Sequence, residues 1–207
     1  MDSAAYATVL SKLGFAHYNM RHLETSLVYE EEAFAIKKRL LNNDDERMAI
    51  SYRTLGLLAL ELSHSIEDAL TYMKESFRIT EKNWGKRSKQ TLRAMQYLAL
   101  CYDAARDDKK ALEVLYAALN LSLQLNNGYN IGTAQLYMQI GGALRDLGQY
   151  DEAIDYYKQY DRYAKQVKGP DMRYPNANAN FGLGMVYAQI GEYHLSKKHL
   201  ALSEELF

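Results

Sequence analysis

Apolar residues recur along the chain at spacings of three and four, which marks one face of an α-helix. Leu10, Leu13, Gly14 and His17 show this spacing, and equivalent series follow further along the chain. Alternating β-branched stretches are absent, so the pattern predicts helices and no strands. A glycine inside a helix costs about 1 kcal/mol relative to alanine. Its recurrence therefore implies that pairs of helices cross closely at these positions.

The helical pattern repeats every 42 or 43 residues. One column of small residues contains Gly14, Gly56, Ala99, Gly141 and Gly184, and a second contains Ser26, Ala69, Ala111, Ala153 and Ser196. Turn-forming stretches such as Asn126-Asn127-Gly128 recur in the same phase. These columns predict five helix-turn-helix repeats, at about residues 3–41, 44–83, 87–125, 129–167 and 172–207. Five stacked hairpins would share one continuous core, which a single hairpin cannot form.

The fourth repeat carries the most specific motif, Leu147-Gly148-Gln149-Tyr150-Asp151-Glu152-Ala153. This motif resembles the tetratricopeptide repeat, whose usual period is about 34 residues. The longer period and the Gly169-Pro170-Asp171 linker are similar to the long-loop variety found in kinesin light chains. The resemblance covers essentially the whole chain. It implies an all-α, right-handed α-solenoid that forms a single domain over residues 1–207.

The tyrosines of the fourth repeat fit this resemblance. Tyr150, Tyr157 and Tyr160 stand at positions where the repeat takes bulky packing groups, so we expect structural packing there and not an aromatic cofactor site. Tyr156 and Tyr163 lie off that face, and we expect them to be exposed to solvent.

The resemblance also places one flank of each first helix on a concave surface that binds a protein or peptide. The candidate residues on this flank are Phe15, Tyr18, Arg53, Leu57, Arg93, Gln96, Leu100, Gln135, Met138, Arg145, Asn178, Phe181 and Met185. The set is largely apolar and contains three arginines, which bind carboxylates well. We therefore expect an extended or helical peptide with apolar and acidic residues. The alternative is that leucines such as Leu57 and Leu100 only pack against neighbouring repeats.

Two subtypes of the family are disfavoured by specific residues. The clamp that binds acidic chaperone tails needs lysines and asparagines on this flank, and only Asn178 is of either type. Kinesin light chains share an asparagine column just before the Leu-Gly pair. The corresponding residues here are Lys12, Thr54, Tyr97, Gln139 and Gly182.

Composition excludes several classes of partner. The chain has 207 residues and a formal net charge of −1, so overall charge predicts no nucleic-acid or membrane partner. One cysteine, Cys101, cannot form an internal disulfide, which favours a reducing, cytoplasmic location. A basic patch surrounds Trp84 and could favour stacking on nucleic acid. We expect instead that Trp84 lies under the adjoining loop and that the cations are solvated, as is the run Glu30-Glu31-Glu32.

Catalytic chemistry is not predicted. The five histidines complete no metal-ligand set, His17 falls in a core column where we expect a satisfied core histidine, and Cys101 lies in mid-helix, where we expect a buried thiol. No cofactor is expected. The sequence therefore predicts a non-enzymatic interaction module or adaptor. A peptide-sensing regulatory domain that controls a separate effector domain, and a self-assembling scaffold, remain alternatives. No polar capping helix follows the fifth repeat, so we expect a fragment of a longer protein or self-association through exposed ends.

Overall fold

A computed structural model describes residues 3–62, 65–125, 130–166 and 173–205. Within these ranges the chain forms ten α-helices and no strand. The helices are α1 (Ala4–Asn19), α2 (Leu23–Leu40), α3 (Glu46–Glu61), α4 (Ile66–Trp84), α5 (Lys89–Ala104), α6 (Asp108–Leu125), α7 (Ile131–Asp146), α8 (Tyr150–Ala164), α9 (Arg173–Gln189) and α10 (Tyr193–Glu204). The prediction of an all-α array of helical repeats is confirmed.

The helices group into two compact units, Met1–Asp107 and Asp108–Phe207. In the first unit α1 pairs with α2 and α3 with α4, while α2 packs on α3 and α4 packs on α5. In the second unit α7 pairs with α8 and α9 with α10, while α6 packs on α7 and α8 packs on α9. First helices of successive repeats also touch, since α1 contacts α3, α3 contacts α5, and α7 contacts α9. The handedness and the single-domain organisation stay predictions.

Polar residues fix where the first helices begin. The Ser3 side chain accepts a hydrogen bond from the Tyr6 amide, and Ser88 and Asn130 cap α5 and α7 in the same way. Such caps satisfy amide groups that have no partner inside the helix. The Ser3 cap therefore sets the start of α1 at Ala4.

The small-residue columns mark close helix crossings, as their recurrence predicted. The Ser26 hydroxyl donates to the Gly14 carbonyl oxygen at 2.7 Å, so α1 and α2 meet with their backbones close together. A Cβ on Gly14 would lie 3.2 Å from the Ser26 carbonyl oxygen. On the same face Leu10 is buried, but Leu13 is 43% exposed. The spacing of three and four therefore groups Leu10 and Leu13 on one face of α1, but it does not predict that both are buried.

Tyr157 and Tyr160 are buried, which confirms their packing role, and Tyr150 is half-buried. The expectation that Tyr156 and Tyr163 are exposed is wrong, because both are half-buried. Their rings lie 6.1 and 5.4 Å from the ring of Tyr137 on α7. Neighbouring helices thus cover side chains that point away from the core face of α8.

A buried polar cluster ties the first repeat to the second. Lys37 donates hydrogen bonds to the hydroxyl oxygens of Ser11 at 2.5 Å and Ser51 at 2.7 Å, and its ammonium lies 3.8 Å from Glu30 Oε1. The Ser11 hydroxyl donates to the same carboxylate at 2.9 Å. Burial lowers the pKa of Lys37. The expectation that Glu30 belongs to a solvated acidic face is wrong, because Glu30 is fully buried.

Candidate functional site

All of the candidate groove residues lie on first helices, and none of them is buried. Seven are in the first unit: Phe15 and Tyr18 on α1, Arg53 and Leu57 on α3, and Arg93, Gln96 and Leu100 on α5. Six are in the second unit: Gln135, Met138 and Arg145 on α7, and Asn178, Phe181 and Met185 on α9. Each unit therefore presents its candidates at least partly to solvent.

A pocket of about 440 Å³ lies beside two of these residues, Arg53 and Arg93. It lies where the beginnings of α3 and α5 meet the end of α4. Its lining residues are Glu46, Ala49, Ile50, Arg53, Ser76, Thr80, Trp84, Lys89, Gln90, Arg93, Ala94 and Tyr97. We call it the α3–α5 pocket. Its volume is within the range of pockets that hold small ligands or single side chains of a partner.

Two of the three predicted arginines meet in the α3–α5 pocket. Arg53 reaches it from α3 and Arg93 from α5. The Arg53 guanidinium carbon lies 5.6 Å from the centre of the Tyr97 ring, which is cation–π geometry. Tyr97 therefore orients one of the two guanidinium groups from one turn further along α5.

The charges of the α3–α5 pocket favour an anion. Arg53, Arg93 and Lys89 supply three cations, and Glu46 is the single acidic residue of the lining. The first turn of α5 adds the partial positive charge of a helix N-terminus. Arginine binds carboxylates through two parallel hydrogen bonds, so a carboxylate is the group that this lining suits best.

Trp84 supplies the apolar wall of the same pocket. It is the last residue of α4, and 49% of its surface is exposed. The expectation that Trp84 lies covered under the inter-repeat loop is therefore wrong. α4 ends at Gly85, whose φ of +74° is accessible to glycine without strain.

The other candidates of the first unit differ in how far they are already engaged. Phe15 and Leu100 expose nearly half of their surfaces, so they can serve as apolar contacts. The Tyr18 hydroxyl instead donates to the Glu61 carboxylate at 3.3 Å. The same carboxylate accepts a hydrogen bond from Arg21 at 3.0 Å, which lowers the pKa of Glu61. Burial raises the pKa of Tyr18.

In the second unit the third arginine is held by a neighbour. Arg145 Nη2 lies 2.7 Å from Asp146 Oδ1, and Arg145 Nε donates to the same oxygen at 2.8 Å. An incoming carboxylate would compete with this ion pair. Phe181 is half exposed, whereas Met138 packs against the cluster formed by Ala134, Tyr160 and other residues.

The predictions for Cys101 and His17 have different outcomes in the structure. Cys101 is buried, as predicted, and burial raises its pKa to about 12, so the thiol stays protonated at neutral pH. His17 stacks on Tyr29, with 5.4 Å between the ring centres. His17 Nδ1 has no hydrogen-bond partner within the described residues. The expectation of a satisfied core histidine is therefore wrong.

Of the residues that line the α3–α5 pocket, only Arg53 and Arg93 were candidate groove residues, and Trp84, Lys89 and Tyr97 are the most consequential of those that sequence reasoning missed. The basic patch around Trp84 was a visible signal, but it lies in an inter-repeat segment and not on a first-helix flank. Tyr97 directly follows Gln96, one step outside the flank. A side chain as long as tyrosine reaches round the helix to its neighbour on α3.

Comparison with known proteins decides the family. Residues 7–46 and 90–166 both match the tetratricopeptide repeat, and together they make up more than half of the chain. The chain belongs to the tetratricopeptide repeat family. Within the described residues no tetratricopeptide helix is both long and apolar enough to cross a membrane.

Two curated proteins are similar to this tetratricopeptide chain. The secreted RxLR effector protein RXLR-C07 of Plasmopara halstedii is 23% identical over 92% of the chain and 59% of its own length. The RxLR effector protein SFI4 of Phytophthora infestans is 23% identical over 74% of the chain and 45% of its own length. The chain thus spans about half the length of these relatives.

Solved structures of several other proteins share the fold of this chain. The Podosopora anserina kinesin light chain "nearly identical TPR-like repeats" superpose with a TM-score of 0.80 at 15% identity, over 100% of this chain and 97% of that one. BtubC (BKLC) from P. vanneervenii gives 0.79 at 16% identity, over 98% and 80%. Rap protein complexed with Competence and Sporulation Factor gives 0.72 at 16% identity, over 97% and 53%. At these identities the likeness concerns the fold alone.

Proposed function

We propose that the chain is a non-enzymatic protein-interaction module that binds a peptide or helical segment of a partner on its first-helix surface. The observation that carries this proposal is the α3–α5 pocket, where Arg53 and Arg93 converge beside Trp84 and Tyr97. Arginine and large aromatic residues dominate binding energy at protein interfaces. Membership of a repeat family whose members bind proteins supports the same class of function.

The ligand that this pocket suits has an acidic residue next to an apolar one. The carboxylate would pair with Arg53 and Arg93, while the apolar side chain would lie against Trp84. Phe15 and Leu100, on first helices of the same unit, would add apolar contacts further along the peptide. An extended or helical peptide can place side chains at several such positions at once.

An array of short synthetic peptides tests this function. Peptides in which Glu or Asp stands beside Leu, Phe or Trp are compared with matched peptides that carry Lys in place of the acid. The proposal expects acidic hits that are lost in the variant Arg53→Glu/Arg93→Glu. The control Lys109→Glu/Arg162→Glu reverses the same number of exposed charges on second helices and should keep the hits. Hits that survive the groove variant would refute the arginine pocket.

A peptide-sensing regulator is the second candidate function. The likeness in fold to a Rap protein complexed with Competence and Sporulation Factor favours it. A regulator must change conformation when the peptide binds, and it needs a separate effector domain to act on. Small-angle scattering of the module with and without an array-selected peptide separates the two ideas. A change in radius of gyration favours a regulator, whereas an unchanged curve favours a rigid adaptor.

The location of the protein remains a proposal as well. The lone cysteine favours a reducing compartment, and we propose the cytoplasm as the place where the module works. One curated relative is described as a secreted effector, so the producing cell and the place of action need not be the same. Immunodetection in the medium and in cell extracts of the native organism tests this, and a wholly extracellular pool would contradict it.

A further inference from the structure

Another pocket lies among α8, α9 and α10, within the second unit. Its volume is about 580 Å³, which is in the range of sites that hold small ligands. We call it the α8–α10 pocket. The residues that decide its chemistry are Lys158, Asp161, Arg162 and Lys165 on α8, Asn180 on α9 and His199 on α10.

The earlier repeats fill the equivalent space with their own side chains. The ring of Tyr52 on α3 lies 5.0 Å from that of Phe34 on α2 and 6.1 Å from that of Tyr72 on α4. Two repeats further along, Tyr137 and Tyr156 correspond to Tyr52 and Tyr72, and their rings are also 6.1 Å apart. Large side chains therefore close the gap between a first helix and the second helices on either side of it.

The fifth repeat places shorter and more polar side chains in this row. At the positions equivalent to the three rings around α3 it carries Asp161, Asn180 and His199. Asn180 Oδ1 and His199 Nδ1 are 2.8 Å apart, and Asp161 lines the same pocket from α8. The α8–α10 pocket is therefore open because these three side chains are smaller than their equivalents.

Cations form the α8 wall of the pocket. Lys158, Arg162 and Lys165 follow one another at spacings of four and three, which places them on one face of the helix. Lys165 pairs with Asp161 at 2.6 Å, whereas Lys158 and Arg162 form no ion pair with a carboxylate of the described residues. None of the equivalent rows in α2, α4 and α6 contains three cations. The repeat itself does not require them, so two positive charges remain for a ligand.

Hydrogen bonds fix the tautomer of His199 at the opposite wall. Asn180 Nδ2 donates to the Asn176 carbonyl oxygen at 2.8 Å, so Asn180 Oδ1 is the atom that faces His199 Nδ1. Nδ1 therefore carries the proton of the neutral imidazole. Burial lowers the pKa of His199, and the charges of Lys198 on α10 and Lys158 on α8 lower it further. An anion in the pocket would raise this pKa, because it favours the imidazolium.

We propose that the α8–α10 pocket binds a small molecule that carries a phosphate monoester group. Such a group has a charge close to −2 at neutral pH, which matches Lys158 and Arg162, whereas one carboxylate would neutralise only one of them. Arginine binds phosphate through two parallel hydrogen bonds, and lysine binds it as a point charge. The rest of the molecule would lie against Asn180 and the buried residues Ala179 and Leu183. This site shares no residue with the α3–α5 pocket.

Calorimetric titration of the full chain with phenyl phosphate tests the site. The wild type should bind one molecule saturably, and phenyl sulfate, a monoanion of similar shape, should bind at least about tenfold more weakly. Lys158→Gln/Arg162→Gln should also weaken binding of phenyl phosphate at least about tenfold. The control Lys109→Gln/Lys197→Gln removes two exposed cations outside the pocket and should bind like the wild type.

Filling the pocket separates a built site from attraction to a basic surface. Asp161→Leu/Asn180→Tyr installs the residue types that Leu119 and Tyr137 supply one repeat earlier, and it keeps Lys158. This variant also removes an acid, so attraction to charge alone would become stronger. The proposal instead expects loss of binding, with a urea midpoint at or above that of the wild type.

Nuclear magnetic resonance of the histidine rings gives a readout inside the pocket. Phenyl phosphate should shift the His199 Cε1 proton signal and raise its titration midpoint. His194 is exposed on the same helix outside the pocket, so its signal should stay unchanged.

Three results would overturn the proposal. The first is the absence of saturable binding of phenyl phosphate to the wild type. The second is binding that survives in Asp161→Leu/Asn180→Tyr. The third is tighter binding of a pentapeptide with a central phosphoserine between alanines than of phenyl phosphate, since this would assign the site to a modified protein.

Discussion

The ring of Tyr157 on α8 packs directly on the backbone of Gly182 on α9. A Cβ at position 182 would clash with the edge of this ring, and a Cβ at Gly141 on α7 would lie 3.1 Å from its Cε1. Tyr157 thus occupies the space that two glycines leave open, one on its own hairpin partner and one on the next repeat. This contact explains why the fourth and fifth repeats carry glycine at these places.

Replacement of Gly182 by alanine should therefore destabilise the protein. The added methyl group must push Tyr157 or α9 aside, and overpacking of this kind costs about 1–3 kcal/mol. Gly142→Ala is the matched control, because a Cβ there would lie 3.8 Å from the Tyr157 hydroxyl and has room. It should leave stability unchanged or raise it by up to about 1 kcal/mol, the difference in helix propensity. Urea denaturation measures both, and equal midpoints for the two variants would contradict the contact.

The buried cluster of Glu30 and Lys37 gives a second prediction. Lys37→Met leaves the Glu30 carboxylate buried without its cation, which should cost about 3–5 kcal/mol. The double variant Glu30→Leu/Lys37→Met removes both charges and should recover much of that loss. Lys38→Met, at the exposed neighbouring position, is the control and should be nearly neutral. If Lys37→Met unfolded at the same denaturant concentration as Lys38→Met, the buried pair would not exist in solution.

Cys101 provides a probe of native packing. With its pKa raised to about 12 by burial, the thiol should react with iodoacetamide very slowly at pH 8, since the thiolate is the nucleophile. In urea the pKa returns to its ordinary range, and labelling should become fast. Mass spectrometry after timed quenching gives both rates. Native labelling as fast as labelling in urea would mean that α5 is not packed as described.

The aromatic walls of the α3–α5 pocket give a prediction about affinity. Trp84→Ala and Tyr97→Leu should each weaken binding of an acidic, apolar peptide about tenfold, because the first removes the apolar wall and the second removes the support of Arg53. Tyr116→Leu changes an exposed tyrosine on α6 that does not line the pocket, and this variant should bind normally. Fluorescence anisotropy of a labelled array hit measures all three variants. Equal affinity of Tyr97→Leu and Tyr116→Leu would remove Tyr97 from the site.

Features that recur in every hairpin were predictable from the sequence, whereas features that depend on contacts between several helices were not. The period of 42 or 43 residues was enough to predict the hairpins and their small-residue columns, because each repeat tests the same pattern again. The burial of Glu30 was not predictable, since it depends on Lys37 and on Ser51 from the next repeat. The exposure of Leu13 depends on whether another helix covers α1. Periodicity within a single helix carries no information of this kind.

The same distinction between single helices and contacts among several helices applies to the candidate site. The angles around each first helix, together with the resemblance to the tetratricopeptide repeat, placed thirteen residues on one flank, and none of these is buried. The convergence of Arg53 and Arg93 with Trp84 needed the positions of three helices. Arg145 shows the limit of the angular argument, because its neighbour Asp146 already pairs with it.

Titration of intrinsic fluorescence tests the central claim most directly, because Trp84 is the single tryptophan of the chain and lines the α3–α5 pocket. Addition of an array-selected acidic, apolar peptide without tryptophan should shift and saturate the Trp84 emission. The same titration of Arg53→Glu/Arg93→Glu should show no saturable change, while Lys109→Glu/Arg162→Glu should follow the wild type. Saturable binding that leaves Trp84 emission unchanged, or that persists in the arginine variant, would contradict a peptide site in this pocket.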